Sequence, residues 1–320
     1  MGLRSIVRAF LQRKKNEEIK EYLEADQDLA EIIYPFSKGW AFQAASFGGI
    51  ENVFQHTEEK LSASQFERIY TKDASSYWIR TGSKNFPNLD HFVAKILPFQ
   101  TKPFTLISSD GDLTVPVDAN PASVEKVLGH PKLLNWYSQN ADITGIQSKK
   151  LKQIPIGLDL HTPRPDGIGS DLFEKFVSVA NMPGTFEGRS DRIFVDIHLN
   201  YSDDLRREVS ELISGNPNFS FLDGRVPQFE LWRSYRAHKY ILSTIGNGYD
   251  CHRTWEALGL GCRVVTITSP MDALLKNFPV YIARSKEELA SPDLPLKLNR
   301  YFTSSKHLNS DIKFSDFIET

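Results

Sequence analysis

At 320 residues the chain is longer than a single hydrophobic core usually organises, and it reads as two domains of ordinary size. Its 38 lysines and arginines nearly balance 40 aspartates and glutamates, which excludes the global positive field of a nucleic-acid binder and leaves a small or neutral partner. Hydrophobic residues at 40% and aromatics at 12% suffice for buried cores and exclude long disorder.

Residues 1–48 read as a helical segment. Leu3, Ile6, Val7, Phe10 and Leu11 recur at helical spacing and are interrupted by Arg4 and Arg8, unlike a signal-peptide core. Such a basic amphipathic helix packs on its own protein or lies on an anionic bilayer, which makes residues 3–15 a candidate peripheral membrane contact. No run of about 18 apolar residues occurs, so nothing is expected to span a membrane; with its cysteines read as reduced thiols, the expected location is cytoplasmic, with peripheral contact at the inner face of the membrane. The next stretch, NEEIKEYLEADQDLAEII, continues as a charged helix with one apolar stripe.

Residues 49–185 read as an α/β domain. PFTLISSDGD is an apolar strand ending in acidic residues, at the edge where open α/β sheets place ligands. PASVEKVLGHPKLLNWYSQNAD carries leucines and aromatics at helical spacings. Trp136 and Tyr137, like Tyr77 and Trp78, would be core there or would stack on a sugar ring. KLKQIPIGLDLHT gives another short strand, and DLFEKFVSVANM another helix. Residues 186–300 alternate more plainly. A strand at RIFVDIHL, helix DDLRREVSELISG, strand NFSFLDG, helix PQFELWRSYRAH and strand YILSTIG imply a parallel sheet. Residues 301–320 form a tail. His91 and His198 do not combine with the cysteines at metal-ligand spacing, so no zinc site is expected. The two cysteines, Cys251 and Cys262, flank a short helix and are expected as reduced thiols.

That helix lies in GNGYDCHRTWEALGLGC, residues 246–262. Gly246 and Gly248 would take backbone angles closed to other residues and let a ligand approach the main chain. Asp250 is placed as the N-cap and Gly261 as the stop. The helix start offers unpaired amides and a positive partial charge, an anion site. Arg253 and Glu256 share one side, suited to a nucleoside diphosphate: guanidinium on diphosphate, carboxylate on ribose. An ordinary surface pair of the same spacing contributes only a few tenths of a kcal/mol. Trp255 and Leu258 point the other way, onto the sheet.

The run HKYILSTIGNGYDCHRTWEALGLGCRVVTITSPMDALLKNFPVYIA resembles the donor-binding region of exostosin-like glycosyltransferases and their bacterial and viral relatives. Strand, Gly/Asn turn, HR-x-W-E-A-L helix, GC and strand-end S-P-x-D-x-L occur in that order. The resemblance implies a GT-B fold, two Rossmann-like domains with parallel sheets facing across a cleft. It also implies transfer of a sugar from a nucleotide-sugar, UDP-linked by expectation, to a glycan or glycolipid hydroxyl, with inversion and no required cofactor or metal. Arg253 would hold the diphosphate and Glu256 the ribose. Asn247, Gly248, Asp250 and His252 would line the phosphate turn, and Ser269 and Asp272 would border the cleft. The chain departs from many relatives at Ser243-Thr244-Ile245 and at Arg263-Val264-Val265, which lack a proline.

Inverting transfer needs a base on the acceptor hydroxyl. The candidates are Asp110, Asp112, Asp159 and His161, each of which could instead close a loop or sit as a satisfied polar residue. Two alternatives stay open. Asp110 and Asp112 could be the D-x-D pair of a metal-dependent GT-A-like transferase, or the chain could be a noncatalytic nucleotide- or glycan-binding module.

Overall fold

A computed structural model describes residues 15–197, 204–304 and 312–318. Two parallel sheets carry the molecule. The first has the order β1 (Ser76–Arg80), β2 (Phe104–Ser109), β3 (Leu133–Ser138), β4 (Leu151–Gln153). In the second, β6 (Phe219–Phe221) and β5 (Ser190–Val195) precede β7 (His238–Leu242), β8 (Arg263–Ile267) and β9 (Val280–Ala283). Helices alternate with the strands, so the chain is mixed α/β throughout.

Strand alternation divides the core. In β1, Tyr77 and Ile79 pack on the outer cluster of the first sheet, while Trp78 turns inward. In β5, Ile193 and Val195 pack on the outer cluster of the second sheet, while Phe194 turns inward. The inward set, with Ile107, Tyr137, Ile241 and Val264, forms one continuous cluster joining both sheets. Both faces of each sheet are covered, as parallel sheets require, and this shared core holds the two sheet units together.

Two expectations are corrected, and one strand is added. The stretch 121–142 is not one helix: a helix runs only from Pro121 to Leu128, capped by Asn120, and LLNWYS is β3. Pro131 disfavours helix at the residue before it and lacks a donor of its own. Beyond it Trp136 and Tyr137 enter clusters on opposite faces, an alternation of period two. SYWIR, unassigned from sequence, is β1, with Tyr77 and Trp78 fully buried. None of these four aromatics is free to stack on a sugar. The charged helix ends at residue 25, because the Asp26 carboxylate turns to accept the Ser170 amide at 2.8 Å.

Among the described residues no helix is long and apolar enough to cross a membrane. The amphipathic face expected over residues 3–15 lies, except for Lys15, outside the described residues, as does His198.

Candidate functional site

The strand order β6-β5-β7-β8-β9 reverses direction between β5 and β7. In an open parallel sheet that is where helices leave to opposite faces and open a crevice at the strands' carboxyl ends. The sequence at those ends is Asp196 after β5 and Gly246 to Cys251 after β7. A cavity of about 220 Å³ lies there. Arg206, Asn247, Cys251, His252 and Arg253 line it from the second sheet, and Asp112 and Ile156 close it from the first. Residues that the sequence separates by more than a hundred positions therefore share one cleft.

The helix His252–Gly259 begins at this cavity. Its N-cap is Cys251, one residue later than expected, with no side-chain cap. Its end is a Schellman turn: Gly261, at φ 69°, donates to Leu258 O, and Cys262 donates to Ala257 O. Trp255 and Leu258 pack into the shared core. Arg253 reaches the cavity, but its Nε pairs with Asp196 Oδ1, while Tyr235 donates to the other oxygen at 2.7 Å. Burial opposes the Arg253 charge, and the adjacent Asp196 carboxylate outweighs it, so the guanidinium stays firmly protonated. Glu256 does not line the cavity. It is 5% exposed, beside Gln228 (Nε2 at 3.4 Å), and burial raises its carboxyl.

Asp250 proves to be a joint between the two sheet units. Its carboxylate accepts the Ile156 amide at 2.7 Å, the Cys251 amide at 2.9 Å and the Trp255 indole N–H at 2.8 and 2.9 Å. Its own amide donates to Asn140 Oδ1 at 2.8 Å. Burial pushes the carboxyl up to about 6. His252 adds a second tie, Nδ1 lying 2.7 Å from Gly157 O. The expected left-handed angles at Gly246 and Gly248 are absent. A Cβ at Gly248 would lie 2.4 Å from Asn140 Nδ2, and one at Gly246 would lie 2.9 Å from an Arg206 nitrogen. These glycines admit protein side chains, which is why the turn needs them.

The four candidate bases separate clearly. Asp110 is 1% exposed and bound by Lys38 Nζ at 2.6 Å, Arg80 Nε at 2.7 Å and Thr57 at 3.0 Å. Burial opposes its ionisation, but the two cations hold it well below the carboxylate range. Gly111 after it sits against Gly82, where a Cβ would meet Gly82 O at 2.1 Å. Asp110 is thus a buried ion-pair residue and is not available as one arm of a D-x-D metal pair. Asp112 alone of the four faces the cavity; burial raises its carboxyl, against the pull of Asn247 and His252. Asp159 accepts from Arg164 at 2.6 Å and from the Thr162 amide at 3.1 Å. Burial opposes its ionisation, and His161, His252 and Arg164 hold it well below the usual range. His161 Nδ1 stands 3.3 Å from Asp159 Oδ1, out of line for a hydrogen bond. Ser269 and Asp272 do not line the cavity: Asp272 accepts the Ser269 amide at 2.8 Å and the Thr268 hydroxyl at 2.5 Å, locking its own turn.

Arg206 went unnoticed in the sequence. Its signal is position: on the amphipathic helix Asp204–Ile213 it shares the buried face with Val209 and Ile213, where a charge is uncommon. It donates to Ile245 O at 2.7 Å and lines the cavity. No protein-family model and no curated protein matches the chain.

Proposed function

We propose that the protein is a glycosyltransferase of GT-B type that binds a nucleotide-sugar at the β5/β7 crevice and transfers the sugar to a hydroxyl of a glycan. The observation that carries this is the crevice itself. At the switch point of a parallel sheet, a helix start and two arginines, Arg206 and Arg253, face one cavity that the other sheet unit closes. Among the described residues the His252 and Arg253 amides have no hydrogen-bond acceptor, and such amides and guanidinium groups are complementary to a diphosphate; the resemblance to exostosin-like enzymes over residues 238–283 supplies the reaction class. The diphosphate lies against the Gly246–Gly248 turn, and the cations stabilise its charge as it leaves. Nothing in this scheme requires a metal bound by Asp110, whose oxygens are taken by Lys38, Arg80 and Thr57.

Calorimetric titration with UDP, GDP, CDP and ADP tests the site. One of them binds, and Arg206→Ala weakens it about 10- to 100-fold, the effect of losing a charged hydrogen bond of about 1.5–3 kcal/mol. Absence of binding by all four, with and without Mn²⁺, refutes the donor site. Tight binding with no turnover of any sugar donor over a panel of glycan acceptors identifies a binding module.

A further inference from the structure

A second cavity, of about 390 Å³, lies under the helix of residues 15–25. Its walls are apolar on one side, with Ile19, Leu23, Phe54 and Pro163. Among the described residues, its polar lining carries two buried atoms without a hydrogen-bond partner, Gln55 Oε1 and His161 Nδ1. Lys38 also lines it, but its three ammonium protons go to Val53 O, Gln55 O and Asp110 Oδ2. The cavity therefore offers an acceptor and an imidazole to hydroxyl groups, together with an apolar wall; Lys38 is already neutralised, and the second lysine, Lys15, is exposed at the rim. Those are the contacts of a neutral sugar ring, which has one face of C–H groups and a rim of hydroxyls.

The two cavities approach each other at a pair of histidines. His252 lines the cavity at the β5/β7 crevice, His161 lines the second, and their ring centroids are 6.3 Å apart. Resting on the proposed glycosyl transfer, we infer that the second cavity holds the sugar end of a neutral glycan acceptor and that His161, beside the Asp159 carboxylate, takes the proton from its attacking hydroxyl. Asp159, held anionic beside Arg164, favours the tautomer with a proton on Nδ1 and leaves the Nε2 lone pair for the acceptor. Nε2 has no protein partner among the described residues. Burial lowers the His161 pKa, so the ring is neutral at pH 7. In the step, the acceptor oxygen bonds to the donor's anomeric carbon as its proton moves to Nε2. The bond from that carbon to the diphosphate oxygen breaks, its electron pair leaves with the nucleoside diphosphate, and the imidazolium then loses its proton to solvent.

Two measurements test this. Saturation-transfer NMR with a panel of methyl glycopyranosides shows binding to the wild type, lost in Thr162→Phe, which fills the cavity from its rim. Transfer from the sugar donor of whichever nucleotide binds the crevice falls at least about 100-fold in His161→Gln with nucleotide affinity unchanged. Gln55→Ala raises the acceptor KM and keeps kcat. The acid limb of the wild-type rate profile reports the ring, which Asp159, Lys38, Asp110 and His252 face; it is absent from the residual activity of His161→Gln and moved in Asp159→Asn. Failure of every glycoside to bind the wild type, or wild-type transfer by His161→Gln, overturns the inference. Failure of nucleotide binding refutes the donor site instead, and the glycoside experiment still reads the second cavity.

Discussion

Asp110 and Asp250 both follow parallel strands, at the edge where such sheets put their chemistry, and both are almost fully buried. Around Asp110 stand two cations, Lys38 and Arg80. Around Asp250 stand neutral N–H donors from both sheet units. The carboxyl of the first is held well below the carboxylate range, and that of the second is pushed up to about 6. A strand-end carboxylate thus takes its role from what is packed against it. Asp110 fastens the segment bearing Lys38 to its own sheet, and Asp250 fastens the two units to each other.

The largest effect is expected at Asp110. Asp110→Asn leaves two buried cations without a counter-charge and costs about 3–5 kcal/mol, read as a lower midpoint in chemical denaturation. A loss under 1 kcal/mol would show that water reaches the pair and that the contrast with Asp250 is false. Asp250→Ala strands the Ile156 amide and the Trp255 indole, at a cost of about 2–3 kcal/mol. The pH dependences run in opposite directions. Folded Asp250 keeps its proton up to about pH 6, whereas the unfolded chain releases it near pH 4. The folded state then binds more protons, and stability falls as pH rises through that window. For Asp110 the shift is downward, so its contribution is complete above about pH 4 and is lost as pH falls further. Asp250→Asn should remove the first slope and Asp110→Asn the second, in denaturation midpoints followed from pH 3 to 7.

Gly248→Ala sharpens the comparison at the turn itself. The new methyl group meets the Asn140 amide that holds the Asp250 backbone, which costs about 1–2 kcal/mol in the thermal midpoint. If the glycine served only a bound ligand, the free protein would melt unchanged.

Much of the second sheet is legible in the sequence because its strands are continuous apolar runs between amphipathic helices, as at RIFV, YIL and RVVTI. The first sheet is less so. Its β1 is a five-residue strand, and β3 keeps leucines and aromatics that fit a helix until Pro131 is weighed. The site was legible as a segment, since the turn at 246–248 and the helix start at 250–253 do line a crevice. The partners of each residue were not. Asp250 meets Ile156 and Asn140, which are 94 and 110 positions away, and Arg253 meets Asp196 across 57. Spacing along a chain records which residues share a helix face, but not what the opposite face of a cleft presents.

The smallest expected effect separates a strand-end carboxylate that serves its own loop from both of the others. Asp272 has its two oxygens on Thr268 and Ser269, four and three positions back, and is only half-buried. Asp272→Ala removes one local turn lock, worth about 1 kcal/mol in denaturation. No buried cation is stranded by it and no contact between the sheet units is lost. Nucleotide affinity should therefore stay at the wild-type value while Arg206→Ala lowers it. A matching loss in Asp272→Ala would mean that the β8 end reaches the bound nucleotide and that the crevice is wider than the β5/β7 switch point.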